Sequence, residues 1–140
     1  MAWKSYELDR VAQRLVLDAR IRDEGTSKKN KSLNQAHKMR QAVAYGLERF
    51  WGEHLRLKEK EKNKSQFWEE TWQAFAKIMA QTGVNIPNDK VDNTESIEAV
   101  SKKLWLLDLE TQRVALAVLT QLCDAIVWWT QRYKGGSDNE

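Results

Sequence analysis

Apolar positions recur at helical spacing along most of the chain, and most densely near its end. In the run RVALAVLTQLCDAIVWWTQRY, from Arg113 to Tyr133, a rotation of about 100° per residue gathers Ala115, Val118, Leu122, Ile126, Trp129 and Tyr133 into one stripe. Leu119, Cys123 and Ala125 widen it towards half the circumference, and Arg113, Thr120, Asp124 and Gln131 share the polar remainder. So broad an apolar face predicts the central core helix of a bundle. A membrane span is the weaker reading. Gln121 and Asp124 interrupt the apolar pieces, which fall short of the roughly 20 residues a bilayer requires.

The same periodicity predicts the other elements. A first helix runs from Trp3 or Ser5 to Asp23, with Leu8, Val11, Ala12, Leu15 and Ala19 inward and Arg10, Arg14, Leu17 and Ile21 on a mixed outer face. Gly25 suits a left-handed cap. Ser32 and Gln35 have the spacing of a capping box and open a long second helix to about Lys58. On it Ala36, Val43, Leu47, Phe50 and Trp51 gather on one side, and Lys38, Tyr45, Arg49 and Arg56 on the other. In a straight helix Lys38 and Arg56, five turns apart, stand about 27 Å from one another. Arg40 and His54 fall on the apolar side, as groups paired or snorkelling at the edge of the core.

A third helix, about Ser65 to Gln81, carries Trp68, Trp72, Phe75 and Met79 on one face, a stripe that reads as core rather than as a ligand-stacking surface. Thr82-Gly83 closes it and Ile86-Pro87 marks a loop. Thr94 or Asp92 caps a fourth helix containing Ile97, Val100, Leu104 and Leu107, and Asp108–Thr111 turns into the core helix. The expected fold class is all-α, a compact bundle of about five helices. It forms a single domain over residues 1–134, and residues 135–140 make a disordered tail.

Composition agrees with that reading, since one proline and six glycines in 140 residues leave few breaks for short strands. Charge adds something new. Residues 1–64 hold 16 Lys and Arg against 9 Asp and Glu, whereas residues 65–140 hold 7 against 11. A basic half (1–64) joined to an acidic half (65–134 and the tail) suggests a polyanion contact on one side. The alternating run Lys58–Lys64 is the natural hinge between them. The loop from Thr26 to Ser32 contributes Lys28, Lys29 and Lys31 as a cationic finger. Together with Lys38, Arg49 and Arg56, and secondarily Arg10 and Arg14, these are the candidate phosphate-backbone contacts, and the Tyr45 ring between the cations can stack on a base.

Catalytic chemistry finds no comparable support. His37 and His54 lie 17 residues apart on different faces, Cys123 has no second cysteine, and the carboxylates lack a repeated carboxylate–histidine pattern. The expectation is a protein that is not an enzyme, with no catalytic residues, metal or cofactor. A lone core cysteine and the absence of a basic-then-apolar leader in Met1–Asp9 point to the cytoplasm.

The segment Arg113–Tyr133, preceded by Leu104-Trp105-Leu106-Leu107, resembles the C-terminal region of the large subunit of type I-D CRISPR Cascade complexes, which also exists as a free small subunit. The resemblance covers essentially the whole chain. It implies a noncatalytic helical subunit present in more than one copy, contacting the backbone and large subunits and a second copy of itself. It also implies contact with guide RNA and target nucleic acid, steadying their duplex and the displaced DNA strand, with no membrane involved. The competing expectation is a helical structural adaptor that docks protein partners alone. The two differ in whether the basic stripe meets phosphate.

Overall fold

The fold was obtained as a computed structural model that describes residues 5–137, with side-chain surroundings for residues 7–133. It is all-α, with six α-helices and no strand among the described residues. They are α1 (Ser5–Arg22), α2 (Ala36–Ala42), α3 (Leu47–Leu57), α4 (Lys62–Gln81), α5 (Thr94–Trp105) and α6 (Leu109–Ser137). The start of α1 at Ser5 matches one of the two expected positions, and Trp3 lies outside the described residues.

α6 is the organiser the periodicity predicts. Its Ala115, Leu119, Leu122, Cys123 and Ile126 are fully buried, and the helix packs chiefly against α1 and α2, with α4 behind. By length and apolarity Leu109–Tyr133 is capable of crossing a bilayer, but here that apolar side forms the bundle core. Two boundaries differ from expectation. The helix starts at Leu109 rather than Arg113, because the Asp108 carboxylate accepts from the Thr111 hydroxyl at 2.6 Å and from its amide at 3.3 Å, capping the first turn. These bonds hold the Asp108 carboxyl below its ordinary range. At the other end α6 continues through Gly135 and Gly136 to Ser137. The expected disordered tail therefore gives way to helix over residues 135–137, and residues 138–140 lie outside the described residues.

The aromatic stripe of α4 meets α3. Phe50 lies 4.8 Å from Trp68 and 6.2 Å from Trp72, ring centre to ring centre, and Trp72 lies 5.2 Å from Phe75. All four are buried, so the stripe is core. The α5 cap is Asn93, not Thr94 or Asp92. Its side chain accepts from the Ser96 amide at 2.8 Å while the Ser96 hydroxyl answers the Asn93 amide at 3.1 Å.

The main departure is the second helix. Ser32 and Gln35 form no capping box, because both side chains are committed to distant partners. The Ser32 hydroxyl and amide donate to buried Asp23 at 2.9 and 2.8 Å, and Gln35 accepts from the Trp68 indole at 3.0 Å. Residues 32–35 wind as a tight 3₁₀ turn, α2 lasts only two turns, and Val43–Tyr45 is again 3₁₀. Gly46 then adopts φ 97°, ψ 173°, a region essentially reserved for glycine, and α3 starts afresh. Six helices replace five for this reason.

The charged run Lys58–Lys64 is likewise not a hinge. The Glu61 amide donates to the Leu57 carbonyl at 3.0 Å and the Ser65 amide to the Glu61 carbonyl at 2.9 Å, so the chain turns sharply from α3 into α4. These two helices then pack side by side. The basic and acidic halves of the sequence interleave in one core.

Candidate nucleic-acid interface

The break at Gly46 changes the geometry of the cations on both sides of it. Lys38 and Gln41 from α2, Tyr45 from the turn, Arg49 and Glu53 from α3 and the edge of Trp68 line one shallow depression of about 200 Å³. Lys38, Tyr45 and Arg49 are exposed, and Tyr45 keeps 69% of its surface open. The Arg49 guanidinium stands 5.2 Å from the centre of the Tyr45 ring, close enough for a cation–π contact. It lies over one face of a ring that is otherwise largely exposed.

Arg56 is placed differently. Its guanidinium makes a two-pronged bond to Glu53, at 2.7 and 2.8 Å. That bond raises its pKa above the ordinary value and partly cancels its field. Glu61 accepts from Lys64 at 2.7 Å. This bond, with further attraction from Lys64, Arg56 and Lys38, holds the Glu61 carboxyl below its usual range. Lys38 and Arg56 therefore both act on one carboxylate at the α3–α4 turn. The expected straight 27 Å stripe is broken at Gly46: Lys38 and Arg49 share the depression, and Arg56 is tied to Glu53 at its edge.

The cationic loop lies against the α3–α4 turn. Asp23, 2% exposed, accepts from the Ser32 amide and hydroxyl and from the Leu33 amide at 3.2 Å. The Asn34 side chain donates to the Lys28 carbonyl at 2.8 Å. Residues 28–30 thus form a 3₁₀ turn clasped at its base. Lys28 and Lys29 are exposed on it, and Lys31 is half-buried. Thr26 and Asn30 share a depression of about 400 Å³ with Glu59, Lys60, Glu61, Lys62 and Asn63, so the loop abuts the α3–α4 turn. Exposed Lys60 and Lys62 belong to the same surface, whereas exposed Lys58 lines the cleft beside His54. Their alternation with Glu59 and Glu61 marks solvent exposure but fits a hinge and a tight turn equally, so the sequence alone does not single them out.

Arg10 and Arg14 stand apart. They line a groove of about 600 Å³ between α1 and the C-terminal half of α4, where Lys77 adds a third cation over a floor of Leu8, Val11, Leu15, Ala74 and Ile78. Arg14 also pairs with Asp18 at 3.1 Å. The structure does not bring these two arginines to the Lys38–Arg49 cluster.

Arg40 and His54 lie at the core edge as expected. Arg40 pairs with Asp124 at 2.6 Å. His54 is buried with Nδ1 2.6 Å from the Trp51 carbonyl, which assigns the proton to that nitrogen. Its Nε2 faces Glu69 at 3.8 Å in a cleft between α3, α4 and the 88–91 loop. Among the described residues no three His, Cys, Asp or Glu side chains gather as metal ligands.

Comparison with known proteins adds no neighbour: no family model, no curated protein and no solved structure matches the chain. The functional reading rests on the residues themselves.

Proposed function

We propose that the protein is a noncatalytic helical subunit of an RNA-guided CRISPR surveillance complex in the cytoplasm, holding guide RNA–target duplex and displaced DNA strand through contacts indifferent to sequence. The observation that carries the nucleic-acid part is the convergence of Lys38, Arg49 and an open Tyr45 on one depression at the α2–α3 break, with Lys28 and Lys29 on a clasped loop that abuts the α3–α4 turn. Such a surface offers separate cations to successive phosphates and one aromatic face to a base. Arg56, neutralised in part by Glu53, contributes less than Lys38 or Arg49. The CRISPR assignment rests on the resemblance of the Leu104–Leu107 and Arg113–Tyr133 segments, and the proposed protein partners, including a second copy, follow from it.

A second reading, an adaptor that docks proteins only, draws on the α1–α4 groove, whose aliphatic floor and basic rim suit an acidic amphipathic segment. One experiment separates them. The full chain, alone and assembled in its complex, is titrated with labelled single-stranded DNA and with RNA–DNA duplex at several salt concentrations. The nucleic-acid reading expects affinity to fall steeply with salt, and K38E/R49E/R56E to weaken every sequence alike and flatten the log–log salt slope by about 2. Unchanged strand binding in that triple variant, with loosened assembly, hands the function to the adaptor.

A further inference from the structure

The outer face of α6 carries an arrangement that the bundle leaves largely exposed, although Ala125 touches the core and the Arg132 guanidinium stands 5.3 Å from the centre of the Trp129 ring. Gln121 is exposed at its centre. Going outward in both directions, Ala117 and Ala125 come four residues away, Val114 and Trp128 seven, and Glu110 and Arg132 eleven. At about 100° per residue the pair at seven lies some 20° either side of Gln121, and so does the pair at eleven. All therefore belong to one seam about 33 Å long at 1.5 Å per residue. Trp128 leaves 57% of its surface in solvent and Val114 38%, while Ala115, Leu119, Leu122, Cys123 and Ile126 on the opposite side are buried. Glu110 and Arg132 are exposed, and Ala125 is half-buried at the seam's edge.

The seam is self-complementary when reversed. Laid antiparallel on a second copy with Gln121 at the two-fold axis, Val114 of each chain meets Trp128 of the other and Ala117 meets Ala125. Glu110 meets Arg132 at both ends. Small residues flank the crossing point, where the helices come closest. The exposed indole finds an aliphatic partner, and both charges find an opposite sign. A closed two-fold contact of this kind uses one patch twice and leaves no free end to propagate. We infer that the outer face of α6 is a homodimer interface, in which two copies pair through antiparallel α6 helices centred on Gln121. This contact specifies the second-copy partner of the proposed function, and because the cations of the Lys38–Arg49 depression are outside the seam, a monomeric chain overturns the dimer while leaving the nucleic-acid reading to its own salt titration.

The register is directly testable. At the 8–10 Å separation of packed helices, two Gln121 backbones on the axis approach to about 4–5 Å, within reach of a disulfide. Light scattering of the full chain across a concentration series, with circular dichroism to confirm folding, is expected to show the 16.4 kDa mass rising towards twice that value. V114E or W128E should abolish the rise. E110R alone and R132E alone should each weaken it at least tenfold, and the two together should restore it. Q121C should crosslink to a dimer under mild oxidation while wild type, whose Cys123 is buried, stays uncrosslinked. A chain that remains monomeric at every concentration overturns the inference. So does a dimer that Q121C does not crosslink and that paired charge reversal does not restore. Partition of a monomeric chain onto phosphatidylcholine vesicles through Trp128 also overturns it, assigning the seam to lipid.

Discussion

Replacing Gly46 by alanine tests the feature on which the candidate interface depends. Gly46 sits at φ 97°, ψ 173°, and a Cβ added there meets no atom within 4 Å. Steric collision with neighbours is therefore no part of the penalty, and only the backbone conformation is at issue. Holding a residue with a side chain in that region costs about 1–3 kcal/mol. The loss of chain freedom in the unfolded state returns about 0.4–1 kcal/mol, so a net destabilisation of about 1–2 kcal/mol is expected. Gly52 supplies the control six residues later. It lies inside α3 and its added Cβ finds only Glu48 Oε2 at 3.9 Å, an ordinary contact. Gly52→Ala should stabilise by about 0.5–1 kcal/mol through helix propensity alone. Urea unfolding of the two variants beside wild type should thus move the midpoint in opposite directions with unchanged m-values. If Gly46→Ala is neutral or stabilising, the left-handed turn is absent. The segment from Ser32 to Lys58 is then the continuous helix its periodicity suggests, and Lys38 and Arg49 do not share a depression.

Asp23→Ala removes the acceptor of the Ser32 amide and hydroxyl and of the Leu33 amide. Leaving these groups unsatisfied in a buried site should cost about 2–4 kcal/mol, and limited proteolysis should become faster between Thr26 and Lys31, with Asp23→Asn intermediate. Burial pushes the Cys123 thiol up from its usual 9.0 to about 12. The folded state thus holds this proton between pH 9 and 12 while the unfolded state releases it. Stability should therefore fall as pH rises through that window, by up to about 1.4 kcal/mol per unit. Cys123→Ala, compared with wild type by chemical unfolding at pH 8 and pH 10.5, should lack that component of the loss. A thiol reagent should label native Cys123 only at the rate of unfolding.

The core was legible because burial follows the helical period directly. Leu8, Ala12, Leu15 and Ala19 on α1, the α4 aromatics and Ala115, Val118, Leu119, Leu122, Cys123 and Ile126 of the α6 stripe are buried as their spacing requires, while Val11, Ala125, Trp129 and Tyr133 are half-buried at the edge of the core. The second helix was misread because that same period is blind to what interrupted it. Ala36, Val43, Leu47, Phe50 and Trp51 are buried in the broken arrangement too, so their pattern fits a rod and a kinked pair equally well. What decides is a single glycine at a positive φ and a competition for side chains: Ser32 is drawn to Asp23 and Gln35 to Trp68, residues 9 and 33 positions away. Long-range competition of that kind leaves no local trace. Gly46 itself did leave one, since a glycine inside a strongly periodic helix is a standing warning of a break. The charged turn was misjudged for a related reason. Alternating charge advertises solvent exposure, which a linker and a tight turn share. The decision was made by Leu57 and Ser65, both buried at its two ends, which bring α3 and α4 together.

The folded cluster alters what a nucleic acid can gain from these cations. A rod presenting Lys38, Arg49 and Arg56 over about 27 Å would follow a strand for several phosphates, one cation at a time. The observed arrangement instead sets Lys38 beside Arg49 across a depression of about 200 Å³, with Glu53 and Glu61 close behind. On the proposed nucleic-acid reading, two neighbouring cations of this kind would grip one or two phosphates, and Arg56, already matched by Glu53, would add little to a strand continuing towards it. Extension is open only along the loop, through Lys28, Lys29 and the lysines of the α3–α4 turn. A short strand of three or four nucleotides should therefore retain most of the salt dependence shown by a long one if the Lys38–Arg49 pair dominates. If the loop shares the load, lengthening the strand should steepen the slope by about 0.7 for each added phosphate contact on single strands. Lys28→Glu combined with Lys29→Glu should then remove only that increment, whereas Lys38→Glu should remove the part the short strand already has.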